Sequence, residues 1–188
     1  MLKELTRTRR SNGGVTLEVV TITPEIALAW LDKNTQNRCV NRRYLERFTR
    51  DVKNKKWQLT GDTIKFDSDG VLIDGQHRLS ACIASNKPFD SFVAYGLSPA
   101  ARDVIDTGKH RTGADVLKMH GGKNTSAVSA ALHLLINDRD GVTHRRPVTH
   151  SELVDAHRKH SKIDLWVPVP GVLPRGVPSA MVGYIAYC

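Results

Sequence analysis

The chain has 188 residues, enough for one domain of moderate size with a small appendage. Its 40% apolar and 25% charged residues exclude a disordered composition. Lys and Arg outnumber Asp and Glu by 28 to 19, a net charge of +9, and such a field attracts phosphate, in nucleic acid or nucleotides. The plain alternative is a soluble protein that is merely basic. Cys39, Cys82 and Cys188 are odd in number and form no CxxC pair, which argues against a disulfide framework and a zinc ribbon and suits a reducing compartment. The start, "MLKELTRTRRSNGG", has no apolar stretch of signal-peptide length, and no window approaches a membrane span. A soluble, intracellular chain without a membrane partner is expected.

In chain order, residues 1–14 are basic, end in "SNGG", and read as a flexible arm. "VTLEVVTI" (15–22) alternates as a strand does. "TPEIALAWLDK" reads as a short helix, with Thr23 as N-cap, Pro24 at the first helical position and Glu25 favoured by the dipole. "VNRRYLERFTRDVKNKKW" (40–57) carries an apolar stripe of Val40, Tyr44, Leu45, Phe48 and Val52. Arg42, Arg43, Arg47, Arg50, Lys53, Lys55 and Lys56 mostly take the opposite face, either a solvated face or a phosphate-facing one. "DTIKFDSDGVLID" (62–74) reads as two strands around an Asp-Ser-Asp-Gly turn. A short helix over "RLSACIASNK", a strand in "FDSFVAYGLS" and a helix begun by Ser98 and Pro99 follow. Residues 106–122 read as a polar loop and a short helix stopped by paired glycines.

The rest is helical in pattern. Residues 125–138 carry an apolar stripe, and Thr149 with Glu152 forms a capping box. "LWVPVPGVLPRGVP", with four prolines, reads as a loop. "SAMVGYIAYC" begins an apolar helix and ends without a cap, as a truncated chain or one lacking partner helices would. The expected division is a basic arm (1–14), an α/β domain (15–122) and a helical extension (123–188). The irregular alternation is not that of a Rossmann fold, and neither GxGxxG nor a Walker A sequence is present.

The chemistry concentrates in "VLIDGQHRLSA" (71–81), where Asp74, Gly75, Gln76, His77 and Arg78 separate two apolar runs. The expected geometry is a strand-to-helix turn, whose unpaired backbone N–H groups form an anion site. Gly75 would let a ligand approach closely, Arg78 would fork onto phosphate, and Gln76 and Ser80 would add hydrogen bonds. Asp74 suits a divalent cation or the turn's own amides, and His77 suits a phosphate contact or acid-base work near neutral pH. Each residue also has a plainer reading: Asp-Gly as a turn, Asp74 as a cap, His77 as a structural imidazole, Arg78 as half of an ion pair. A second constellation, "DTGKHRT" (106–112), offers Thr107 and Gly108 as a phosphate loop with Lys109 and Arg111 as cations, or else a basic surface turn. Asp62 is a further metal candidate, while Asp67 and Asp69 read as turn residues. His157 and His160 lie one turn apart with no third ligand evident, so no zinc site is expected.

"LIDGQHRLSA" resembles the signature of the ParB/sulfiredoxin-like superfamily, and is close to the "DGQHR" proteins associated with DNA phosphorothioation. Residues 19–117, with "NRR", "GDTIKFD", "GVLIDGQHRL" and "DTGKHRT", are similar to ParB-like proteins of phages and prophages. The resemblance implies an α+β fold, a small mixed sheet flanked by helices and followed by a helical C-terminal segment. It implies nucleotide phosphates at Gly75, Gln76, His77 and Arg78, with Asn41 and Arg42 as a second ligand-contacting segment and "DTGKHRT" facing the turn. It also implies Mg2+ with an NTP, and the cytoplasm of a bacterial host. The box lacks the cysteine of sulfiredoxin's "GCHR", which counts against peroxiredoxin repair, and ParB's own "GERR", which leaves CTP specificity open. No clear helix-turn-helix is legible.

Three functions stand open. The first is nucleotide binding, with hydrolysis in which Asp74 or Asp62 holds magnesium and His77 positions water. The second is a non-catalytic DNA-binding accessory protein, using the arm and the basic helix. The third, a metal-dependent nuclease, is the weakest. A homodimer is an open expectation.

Overall fold

The computed structural model describes residues 9–10, 14–35, 37, 39–105, 110–141, 146–168 and 178–187. Within the expected basic arm, Arg9–Arg10 (β1) pairs with the start of Thr16–Ile22 (β2), and the arm otherwise lies outside the described residues, except for Gly14. The alternating run becomes β2, which pairs antiparallel along its length with Phe89–Leu97 (β5). Thr63–Asp67 (β3) runs parallel to β5, and Leu72–Asp74 (β4) turns back antiparallel to β3. The order β1-β2-β5-β3-β4 makes a small mixed sheet, four strands and a two-residue edge, so the α+β class expected of the sequence is the observed one. The hairpin turn is built by Asp67, whose Oδ1 accepts from Asp69 N at 3.0 Å and Val71 N at 2.8 Å.

Three helices complete this unit. Pro24–Leu31 (α1) starts as anticipated, with Thr23 Oγ1 accepting from Ile26 N. Arg42–Lys53 (α2) is shorter than the expected 40–57 because Asn41 caps it and the chain leaves helical geometry at Asn54 and Lys55. Of its apolar stripe, Val52 is buried, but Val40 and Tyr44 are exposed. Gln76–Ser85 (α3) begins two residues before the expected "RLSACIASNK" helix. Ile22, Ile64, Phe66, Leu79 and Val93 form the core, each worth about 1.5–3 kcal/mol of burial. Cys82 lies in it with its thiol 3.2 Å from Lys87 O and 3.4 Å from Ile22 O; burial, with the Glu25 charge, pushes its pKa up to about 11. The expected helix after Ser98 is a 3-10 turn, Pro99–Val104.

The chain divides into compact units at Gly108/Lys109, ahead of the expected division at 122. The reason is Gly113–Met119 (α4), whose Leu117 packs with Val128, Leu132 and Ile136 of Thr125–Arg139 (α5). His150–Lys159 (α6) starts with the anticipated capping box. Ile163–Trp166 (α7) is helical although "LW" falls in the stretch expected to be a loop; buried Ile163 anchors the turn, and Pro168 follows it. Ser179–Tyr187 (α8) is the last helix. His157 Nε2 lies 3.0 Å from Asp164 Oδ1, and His160 Nδ1 lies 2.9 Å from the Tyr187 hydroxyl.

Candidate functional site

β4 runs into Gly75, and Gly75 into α3, so the pentad does occupy a strand-to-helix turn. Gly75 has φ of 113°, and a Cβ there would stand 2.9 Å from Ile64 Cγ1. Packing beneath the turn therefore requires the glycine. No side chain caps α3 at its start, where Arg78 N and Leu79 N both reach Gly75 O at 3.0 Å.

Asp74 lies opposite Lys65 in the β3–β4 register. Its Oδ2 accepts from Lys65 Nζ at 2.5 Å and from Arg78 Nη2 at 3.0 Å. Thr63 O accepts from the same Arg78 Nη2 at 2.9 Å and from Lys65 Nζ at 3.3 Å. The side chains of Lys65, Asp74 and Arg78 keep only 24%, 18% and 10% of their exposure. Arg78 Nη1 is buried with no hydrogen-bond partner. Burial pushes the Asp74 carboxyl pKa up, but the Arg78 and Lys65 charges and hydrogen bonds pull it down further, below the usual carboxylate range. Asp74 is thus an ionised counterion of two cations. That position does not suit the magnesium ligand expected of Asp74 in catalysis, since a third cation would be repelled. Arg78, expected to fork outward onto phosphate, is instead turned inward onto Asp74 and Thr63.

Asp62 is exposed and exchanges hydrogen bonds with Thr60. Among the described residues no three of His, Cys, Asp and Glu gather as a metal group, so Asp62 and Asp74 form no such cluster.

Gln76 is buried, and its Oε1 accepts from Asn34 Nδ2 at 3.0 Å. Asn34 Oδ1 accepts in turn from Asn37 Nδ2, which also reaches Leu72 O at 2.7 Å. This relay of amides fastens the loop after α1 to the turn. Gln76 is therefore a structural tether where a phosphate ligand was expected.

His77 and Asn41 are brought together. The Asn41 backbone N–H donates to His77 Nε2 at 2.9 Å, and the imidazole meets the Tyr44 ring edge-on at 5.7 Å. An accepting Nε2 leaves the ring proton on Nδ1. The Asn41 side chain caps α2 by accepting from Arg43 N at 2.9 Å, so its contribution at the turn is main-chain. Arg42 is 90% exposed and pairs with Glu46 at 2.8 Å, a weak surface bridge. Ser80 is half-buried on α3, three residues after His77 and on the same side of the helix. Gly108 falls outside the described residues, as do Asp106, Thr107 and Lys109; Arg111 is an exposed residue of the second unit.

Sequence reasoning passed over Lys65, Asn34 and Asn37. Lys65 was not reachable by counting hairpin register from the Asp-Ser-Asp-Gly turn, because a register shift between Lys65 and Phe66 sets it opposite Asp74 where a regular hairpin would set Ile64; the two asparagines lie in the polar run "DKNTQN". The chain matches no family model, no curated protein and no solved structure, so the functional reading rests on these residues.

Proposed function

We propose that the first unit is a ParB-like nucleotide-binding domain that takes the phosphates of an NTP at the start of α3, in a DNA-related process of phage or mobile-element type. One observation carries the reading: the His77–Asn41 hydrogen bond joins the N-termini of α3 and α2. Two positive dipole ends and the exposed Arg42 and Arg43 then share one corner. The "DGQHR" resemblance and the +9 charge support it. The reading is one of binding, because Asp74 and His77 are both engaged internally.

A second reading, a non-catalytic DNA-binding accessory protein, draws on α2 and the residues just after it. Arg43, Lys53 and Lys55 are exposed, and their side chains form no ion pair among the described residues. Such free cations contact backbone phosphates without sequence preference.

Thermal shifts with ATP, GTP, CTP and UTP, each with and without magnesium, test the first reading on wild type and on Arg42→Glu/Arg43→Glu. A ligand at a hundred times its Kd stabilises by about 2.7 kcal/mol. That is a rise of a few degrees, which the charge reversal abolishes. A wild type indifferent to all four nucleotides overturns the reading.

A further inference from the structure

We propose that Lys65 is a phosphate-binding residue, and that the Lys65–Asp74–Arg78 cluster takes a second anion, a phosphate group, beside Asp74. The proposal rests on the nucleotide reading and says where a phosphate goes.

Two cations and one anion share a pocket in which each keeps a quarter or less of its exposure. Among the described residues, Asp74 is the sole acid paired with either cation, so the cluster holds a positive surplus of one. Both cations lean on the same carboxylate oxygen, Oδ2, and on the same carbonyl, Thr63 O. Four donor contacts are thus crowded onto two acceptor atoms, while Arg78 Nη1 has no acceptor. Buried guanidinium N–H groups without acceptors are costly, and a lone positive surplus more so. An oxyanion cures both faults, because it brings charge and several acceptor oxygens at once. Lys65 keeps the largest exposure of the three and is the side from which such a group enters. Its long, flexible stem lets the ammonium follow a phosphate without disturbing the Asp74–Arg78 pair.

The residues also distinguish this from ordinary core repair. A closed structural cluster would match its charges one to one, as in the second unit, where Arg139 and Arg146 pair with Asp140 and Glu152. In that cluster cations and acids balance; here the cations are in surplus.

The test is calorimetric titration of the full chain with inorganic tripolyphosphate, which has no base or sugar, on wild type, Lys65→Met and Lys65→Arg. Lys65→Met leaves a neutral Asp74–Arg78 pair. It is expected to bind tripolyphosphate about tenfold or more weakly, the loss of one charge-assisted contact, while Lys65→Arg retains binding. A folded Lys65→Met that binds as wild type does overturns the proposal and leaves nucleotide binding at the α3 turn intact. A wild type that binds neither tripolyphosphate nor any NTP overturns both. Acetylation of wild-type Lys65, followed by mass spectrometry, gives a readout that needs no variant to fold. Saturating tripolyphosphate is expected to protect Lys65, and equal labelling with and without it overturns the proposal.

Discussion

Gly75 sets the terms for its neighbours, because its φ of 113° and the Ile64 side chain beneath it leave no room for a Cβ. Gly75→Ala is expected to lose about 1–3 kcal/mol from backbone strain alone, with further loss from the contact with Ile64; a chemical-unfolding midpoint checks it. Asp74 has the opposite vulnerability, to acid. Its folded pKa is lowered, so the stability it provides is complete above the unfolded carboxyl value of about 3.9 and disappears as pH falls through the lower folded one. Asp74→Asn strands two cations and is expected to cost about 3–5 kcal/mol at neutral pH. Measured from about pH 5 to about pH 2.5, the gap between the two proteins narrows, because wild-type Asp74 becomes neutral as well. At this scale the sequence showed that chemistry gathers at residues 74–78 but not which way the side chains turn. Gln76 and Arg78 point inward because Asn34 and Thr63 O await them, and those partners lie 42 and 15 residues away. No local pattern encodes these two meetings, whereas the Asp74–Arg78 pair, four residues apart, is the ion pair the plainer reading of Arg78 named.

Among the elements, starts were more legible than ends. Thr23 and Pro24 announced α1, and Thr149 with Glu152 announced α6, since a cap is a local hydrogen bond between near neighbours. Thr112 with Asp115 closes a similar box on α4, but lay hidden in a stretch read as a polar loop. The two boxes are not equivalent. Thr149 is 1% exposed, and its partner Glu152 also binds Arg146 at 3.1 Å, whereas Thr112 is exposed. Both Thr→Ala changes remove a cap worth about 0.5–2 kcal/mol. Thr149→Ala is expected at the upper end and Thr112→Ala at the lower, and urea denaturation of the two variants side by side decides the order. The glycines at 121 and 122 were legible for the same local reason, as the stop of a short helix. Gly121 has φ of 82° and Gly122 N donates to Leu117 O at 3.0 Å, which ends a helix and marks no boundary between units.

For the whole molecule, each unit builds a core from its own residues, around Ile64 and Leu79 in one and Leu132 and Leu153 in the other. The basic surplus is shared out as well: 17 basic residues face 13 acidic ones up to Gly108, and 11 face 6 from Lys109 onward. The nucleotide and DNA readings therefore make different demands on the chain. On the nucleotide reading, the phosphates would draw on Lys65, His77, Asn41, Arg42, Arg43 and the two helix starts, all in the first unit. Residues 1–108 alone are expected to fold and to bind tripolyphosphate as the full chain does, since no core residue is missing. Duplex DNA instead meets whatever cations its backbone can reach, and its binding constant falls with salt by about 0.9 logarithmic units per phosphate neutralised. If both units supply cations, the salt slope of the full chain is steeper than that of residues 1–108. Fluorescence anisotropy with a labelled duplex across a salt series reads both slopes. Equal slopes would place the whole DNA contact on α2 and its flanks, making the first unit both the nucleotide module and the DNA module; a steeper full-chain slope assigns part of the DNA surface to the helical unit.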